Sequence, residues 1–194
     1  MAKKHLLMVK TFINIMFGSK KEINFIIPYM YAPNVFEVNY EQLKQKGINN
    51  LIFDIDNTIA FVDDLTVTDE IEKLFVKLKK QGFNIILMSN NSSGRVVPVA
   101  KALGVSYLSN AGKPDKKSYD NVLKMLKCDK KSAVAIGDQM ITDIAGAKKY
   151  GIYTVLVDQL SEENNIQTET AKKLQDKIVR KLKKKKLFEY GKYY

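Results

Sequence analysis

From residue 50 onward, short apolar runs alternate with stretches of helical period, and this alternation restricts the fold more than any other feature of the chain. The runs are LIFDI (51–55), FNIILMS (83–89), VSYL (105–108), SAVAIG (132–137) and IYTVLV (152–157). Each is too short for a helix and rich in Ile, Val, Phe or Tyr. Gly82, Gly104 and Gly151 introduce three of them, and a lysine-rich turn introduces SAVAIG. They read as buried strands.

Between them lie TDEIEKLFVKLKKQ (68–81), GRVVPVAKAL (94–103), DKKSYDNVLKMLK (115–127) and ITDIAGAKKY (141–150). In the first, Ile71, Leu74, Phe75 and Leu78 recur at helical spacing, Thr68 or Asp69 supplies the N-cap, and Gly82 supplies the stop. Strands alternating with helices of this length predict βαβ units, hence an α/β fold whose parallel sheet is covered on both faces. Such sheets bind ligands just beyond the carboxyl ends of their strands. Asp54, Ser89 and Asp138 fall there.

A chain of 194 residues fits one domain with appendages, and at 45% hydrophobic residues it excludes disorder as the main state. The lone Cys128 excludes an intrachain disulfide and argues against a zinc or redox site. His5, the single histidine, sits among lysines at the N-terminus and is no candidate for catalysis. That N-terminus has no small-residue cleavage site, and no apolar run reaches the roughly 18 residues of a spanning helix, so the expected location is the cytoplasm. Residues 1–46, with Pro28 and Pro33 among large apolar residues, read as an arm laid over the core without an element of its own. The core then occupies 47–160 and a basic tail 161–194.

Asp54 and Asp56, two residues apart at the end of an apolar run, point to the same side of an extended chain. Unpaired, the two charges repel, and a divalent cation relieves that repulsion. With Asp138 and Asp143 of GDQMITD they supply an oxygen-only set that suits Mg²⁺. Ser89 and the loop amides after it, with Lys113 ahead of a helix, bring the hydroxyl and cation of a phosphate site.

FDIDNT, SNN, GKP and IGDQMITDI, in that order, resemble the four motifs of the haloacid dehalogenase superfamily of phosphohydrolases. More narrowly, with the arm IPYMYAPNVFEV and the basic tail, they resemble the subfamily IIIA phosphatases of the YqeG type and the related mitochondrial phosphatidylglycerophosphate phosphatases. The resemblance covers nearly the whole chain and is densest over 47–157. Gly112 departs from it, because the family commonly has Arg there.

What the resemblance implies is a Rossmann-like three-layer sandwich with a mostly parallel central sheet and a Mg²⁺-dependent phosphatase. Asp54 would be the nucleophile that carries an aspartyl-phosphate, and Asp56 the acid and base, its backbone carbonyl helping to hold the metal. Thr58, Ser89, Asn90 and Lys113 would contact the phosphoryl group, Asp138 would ligate the metal, and Asp143 would ligate it directly or through water or orient Lys113.

Only about ten residues separate Thr58 from the helix near Thr68, and one helix and one strand fill the gap from Ser89 to Lys113, so no cap domain has room. An uncapped site accepts a phosphate projecting from something large, such as a lipid headgroup. Residues 172–194 hold ten Lys or Arg against two acids, which is +8 of the net +11. Leu174, Ile178 and Leu182 recur every four residues there, as in a helix lying on an anionic membrane at its inner face, with Phe188, Tyr190, Tyr193 and Tyr194 as interfacial anchors. RNA binding and a plainly solvated helix are the other readings of that tail. The substrate expected is phosphatidylglycerophosphate; the alternatives are a soluble phosphorylated metabolite or nucleotide, and a non-catalytic RNA- or ribosome-binding module.

Overall fold

Six strands form one sheet in the order β1-β6-β5-β2-β3-β4, and every neighbouring pair is parallel. They are β1 (Met30–Ala32), β2 (Asn50–Phe53), β3 (Asn84–Met88), β4 (Ser106–Leu108), β5 (Ala133–Gly137) and β6 (Tyr153–Val157). The structure, a computed structural model, describes residues 24–62, 64, 66–160, 169–184, 189 and 191, with side chains of the last helix from 175. The helices are α1 (Tyr40–Gln45), α2 (Asp69–Lys80), α3 (Ser93–Leu103), α4 (Lys116–Leu126), α5 (Gly146–Tyr150) and α6 (Glu169–Lys184). The five strands and the first three helices read from the sequence are present, with ends shifted by at most two residues; the stretch 141–150, read as one helix, is instead divided between a π-helical turn (Met140–Ala145) and α5.

Alternation along each strand divides the core into two layers. Leu51, Phe53, Ile85, Leu87, Val134 and Ile136 face α2 and α3, where Ile71, Phe75, Leu78, Val96 and Val99 meet them. Ile52, Ile86, Met88 and Ala135 face the opposite way, onto Tyr119, Val122 and Leu123 of α4 and Ala147 of α5. Burial on both faces explains why the strands read as continuous apolar runs.

Register is pinned at the amino ends. Asn50 donates to the Ser132 carbonyl at 3.0 Å and accepts from the Asn84 amide at 3.1 Å, bridging β2 to both neighbours. A slip of one residue would break this bridge and turn Phe53 and Ile52 to the wrong faces.

Two appendages differ from expectation. The arm forms an element after all: β1 pairs with β6 in the register Met30 to Val155, and Tyr29 N donates to Thr154 Oγ1 at 3.2 Å. The two prolines concealed it, but Pro28 and Pro33 flank the three residues and remove no donor from within the strand.

The tail forms the helix the spacing predicts, yet its apolar stripe is not free for a membrane. Ile178 and Leu182 are wholly buried in a cluster with Ile26, Ile27, Tyr31, Met140, Ile144 and Leu156. The lysine stem left outside has charge but no unoccupied apolar face among the described residues. Leu174's side chain, Phe188, Tyr190, Tyr193, Tyr194 and residues 1–23 lie outside the described residues. No helix among those described is long and apolar enough to cross a membrane.

Ile178→Ala is therefore expected to cost about 2–4 kcal/mol in urea unfolding, as for other buried aliphatic truncations. A helix held only by lipid would show no such loss in solution.

Candidate active site

The site is assembled where β2, β3 and β5 end. Asp54 N still donates to the Ile136 carbonyl at 2.9 Å, so the last ladder bond fixes the backbone of Asp54 against β5. The chain then doubles back. The amides of Thr58, Ile59 and Ala60 all reach the Ile55 carbonyl at 3.0–3.1 Å, and Asn57 takes the left-handed conformation, φ +57°, that Asn tolerates better than most side chains. This tight loop returns Thr58 to the site, 1% exposed, with Oγ1 donating to Asp138 Oδ1 at 3.3 Å.

Asp54 and Asp56 are both buried, but their carboxylates go to different partners. Asp54 Oδ1 accepts from Lys113 Nζ at 2.5 Å. Asp56 Oδ1 accepts from Arg95 Nε at 2.5 Å, and Asp56 Oδ2 from Asn91 Nδ2 at 2.7 Å and Ser89 Oγ at 3.5 Å. The pair expected to share one cation is thus split between two.

Lys113 is held from both ends. Asn90 behaves as a peptide mimic: its Oδ1 accepts from Lys113 N at 2.7 Å and its Nδ2 donates to the Lys113 carbonyl at 3.1 Å. The Asn90 side chain, expected on phosphate, is spent on this clamp. At the far end, Lys113 Nζ also donates to Asp143 Oδ1 at 2.6 Å, so one ammonium bridges two carboxylates.

Asp138 and Asp143 come from the loop and π-helical turn (Met140–Ala145) after β5. Gly137 has to be glycine, because a Cβ there would lie 2.5 Å from Asp143 Cγ. Gln139 N donates to Asp143 Oδ2 at 3.1 Å, curling that carboxylate back over the glycine. Asp138 Oδ2 accepts from Gln159 at 2.8 Å. The loop backbone is held by α6: Gln175 Nε2 donates to the Asp138 carbonyl at 2.9 Å, and Gln175 Oε1 accepts from Met140 N at 3.2 Å.

Buried charges set the electrostatics. Burial lifts the Asp54 carboxyl to about 7 against the pull of Lys113, with Asp143 and Asp56 adding to the rise. Asp138 is pushed well above the usual carboxylate range, first by burial and then by Asp54 and Asp143. Burial alone would pull Lys113 down; Asp143 and Asp54 outweigh it and push it up.

The donor set fits a divalent metal. One oxygen from each of Asp54, Asp138 and Asp143 lies within 4.8 Å of the others, and all three residues are buried. Three carboxylates against the single Lys113 ammonium leave two negative charges when all are ionised, which is the charge of one hard divalent cation. The Asp56 carboxylate is outside that cluster; only its backbone carbonyl is left for the metal role expected of it.

Ser89 and Thr58 are buried beside these groups, so every residue singled out in the sequence is brought to one locality. Four others were missed. Asn91, Gln159 and Gln175 carry no signal, since amides on loops and helices are common. Arg95 does carry one: it is a cation in the first turn of α3, where the helix dipole disfavours positive charge, and such a residue calls for an anionic partner.

The chain is 29% identical to "Probable phosphatase YqeG" of Bacillus subtilis, over 83% of its own length and 94% of that protein. It is 27% identical to the chloroplastic and mitochondrial phosphatidylglycerophosphate phosphatase 1 of Arabidopsis thaliana, over 73% of its own length and 43% of the plant protein. Among solved structures, one from Vibrio cholerae assigned to 3-deoxy-D-manno-octulosonate 8-phosphate phosphatase superposes with a TM-score of 0.50 at 18% identity, covering 74% of this chain and 90% of that one. That likeness carries the fold alone. The family of haloacid dehalogenase-like hydrolases matches residues 15–151, well over half of the chain, and the protein belongs to that family.

Proposed function

We propose that the protein is a Mg²⁺-dependent phosphomonoesterase that works through an aspartyl-phosphate on Asp54. The observation that carries this reading is the buried Asp54, Asp138 and Asp143 cluster with one bridging Lys113, set at the carboxyl ends of parallel strands. A buried, undercompensated set of carboxylates is costly to a binding module and useful to an enzyme that fills it with a cation.

Asp54, Asp138, Asp143 and the Asp56 carbonyl would hold Mg²⁺, which when bound offsets charge on the transferring phosphoryl oxygens. Asp54 attacks phosphorus, and the ester oxygen departs with a proton from Asp56. Asp56 then takes a proton from the water that cleaves the acyl phosphate. Lys113, Thr58 and Ser89 stabilise the phosphoryl group between these steps.

The substrate we propose is phosphatidylglycerophosphate. Two relatives support it by name, the Arabidopsis protein and one from Chlamydomonas reinhardtii that is 26% identical over 57% of its length. The spacing supports it too, since only the eight residues 61–68 separate Ala60 from α2, too few for a cap domain. A soluble phosphate ester is the second reading. Burial of Ile178 and Leu182 favours it, because it takes these two residues out of the apolar stripe expected to bring the enzyme to lipid.

Phosphate release from phosphatidylglycerophosphate in anionic vesicles, with Mg²⁺ and with EDTA, separates the two. The expected result is Mg²⁺-dependent release with kcat/KM at least about tenfold above that for glycerol 3-phosphate. Equal or greater efficiency on the soluble ester would discard the lipid and keep the chemistry.

A further inference from the structure

We infer that Arg95 is a positioning residue for the acid–base carboxylate, fixing the orientation from which Asp56 protonates the departing oxygen. The inference rests on the phosphatase reading above and deepens it, since nothing in that reading assigns Arg95 a role.

The geometry is that of a fork closed on a short loop. Arg95 Nε meets Asp56 Oδ1 at 2.5 Å, Nη2 also pairs with Oδ1, and Nη2 donates to the Phe61 carbonyl at 3.2 Å. One guanidinium therefore holds both the carboxylate and the far end of the loop that carries it. The same loop is closed on itself by the parallel bridge between Asp56 and Ala60 and by the bond from Asn57 N to the Ala60 carbonyl at 2.8 Å. On the other side of the carboxylate, Asn91 Nδ2 reaches Oδ2 at 2.7 Å, and Asn91 N donates to Ser89 Oγ at 3.1 Å. Both oxygens of Asp56 are thus directed by side chains from the loop after β3 and the first turn of α3, elements that also carry Ser89.

A carboxyl that must deliver a proton to an oxygen leaving phosphorus needs its position set to within about 0.5 Å and its angle to within about 10–20°. Asp56 lies outside the sheet, and the bridge to Ala60 fixes its backbone but does not set the angle of its side chain. The guanidinium does, because its planar fork can face a carboxylate and a carbonyl together, which a single ammonium cannot do with the same angular control. Arg95 is also placed against its own helix dipole, a cost that its bond to Asp56 offsets.

In the step concerned, Asp54 forms a bond to phosphorus, the bond from phosphorus to the ester oxygen breaks, and that oxygen keeps the electron pair and takes the Asp56 proton. A nitrophenolate leaves without that proton, whereas an alkoxide needs it. Leaving-group dependence therefore reports on the acid and is insensitive to general loosening of the fold.

The experiment measures Mg²⁺-dependent turnover of 4-nitrophenyl phosphate and glycerol 3-phosphate by wild type, Arg95→Gln and Arg95→Lys, with thermal unfolding of each. For Arg95→Gln, the loss on the alkyl ester is expected to exceed the loss on the aryl ester by about 10- to 100-fold, within the range that general acid catalysis supplies. Arg95→Lys should recover part of that difference. Equal losses on both esters, or a gain on the alkyl ester, overturn the positioning role. If Arg95→Gln does not fold, Arg95→Lys decides alone: a differential loss of at least about threefold supports the role and none overturns it. Wild type inactive on both esters and on the lipid overturns the phosphatase reading itself.

Discussion

Asp54→Asn should abolish phosphate release while making the metal-free protein more stable at neutral pH. The loss is expected to be at least about 10⁴-fold, because an amide is no nucleophile and no other buried group replaces it. The gain in stability follows from the same burial. Asp54 titrates at about 7 in the folded chain against 3.8 as an ordinary carboxyl, so between those values the folded state binds more protons than the unfolded state. The stability this proton provides is fully present below about pH 4 and is lost as pH rises through about 7. In EDTA, wild type should accordingly lose thermal stability from pH 4 to pH 8, and Asp54→Asn should lose less. Added Mg²⁺ should reverse the wild-type loss at pH 8 and have a smaller effect on the variant. Scanning calorimetry at pH 4, 6 and 8 checks this, and a variant less stable than wild type at pH 8 in EDTA would falsify the charge accounting.

Lys113→Met has the opposite signature: activity and stability fall together. The ammonium is 5% exposed and is bonded to both Asp54 and Asp143, and no other cation is bonded to those two carboxylates among the described residues. Removing one member of a buried ionic cluster costs about 3–5 kcal/mol, most of it the charge left without a partner. That cost should be largest at pH 8 without metal and should shrink near pH 5, where Asp54 takes up a proton instead. Turnover should fall by about 10²- to 10³-fold as a fixed positive donor to the phosphoryl group disappears. Urea unfolding at the two pH values reads the first effect directly. A cost below about 1 kcal/mol at pH 8 would show that solvent, not Lys113, offsets the cluster.

The contrast between these two variants comes from one fact, that Lys113 serves structure and chemistry at once. Its backbone is clamped by Asn90 and its ammonium is shared by two aspartates, so the lysine cannot be exchanged without disturbing the site. Gly112 precedes this clamp with φ +76°, a conformation that most side chains adopt only under strain, so glycine suits the local backbone at that position.

By itself, the sequence determined the sheet, its helices and the place of the site. Runs such as LIF (51–53) and VLV (155–157) are apolar throughout because both faces of a parallel sheet are buried, and periodicity reports burial directly. Asp54, Thr58, Ser89, Lys113, Asp138 and Asp143 could be singled out because strand ends are where such folds place polar residues. Only the tertiary structure decided how the charges pair. Arg95 lies 39 residues from Asp56, and Gln175 lies 37 residues from Asp138, separations at which no local pattern records a contact. The same limit applies to the two appendages. A three-residue strand flanked by prolines has no period to detect, and an apolar stripe among lysines looks alike whether it meets lipid or the Ile26–Ile144 cluster of its own chain. Burial there depends on a partner surface that exists only after the sheet has formed.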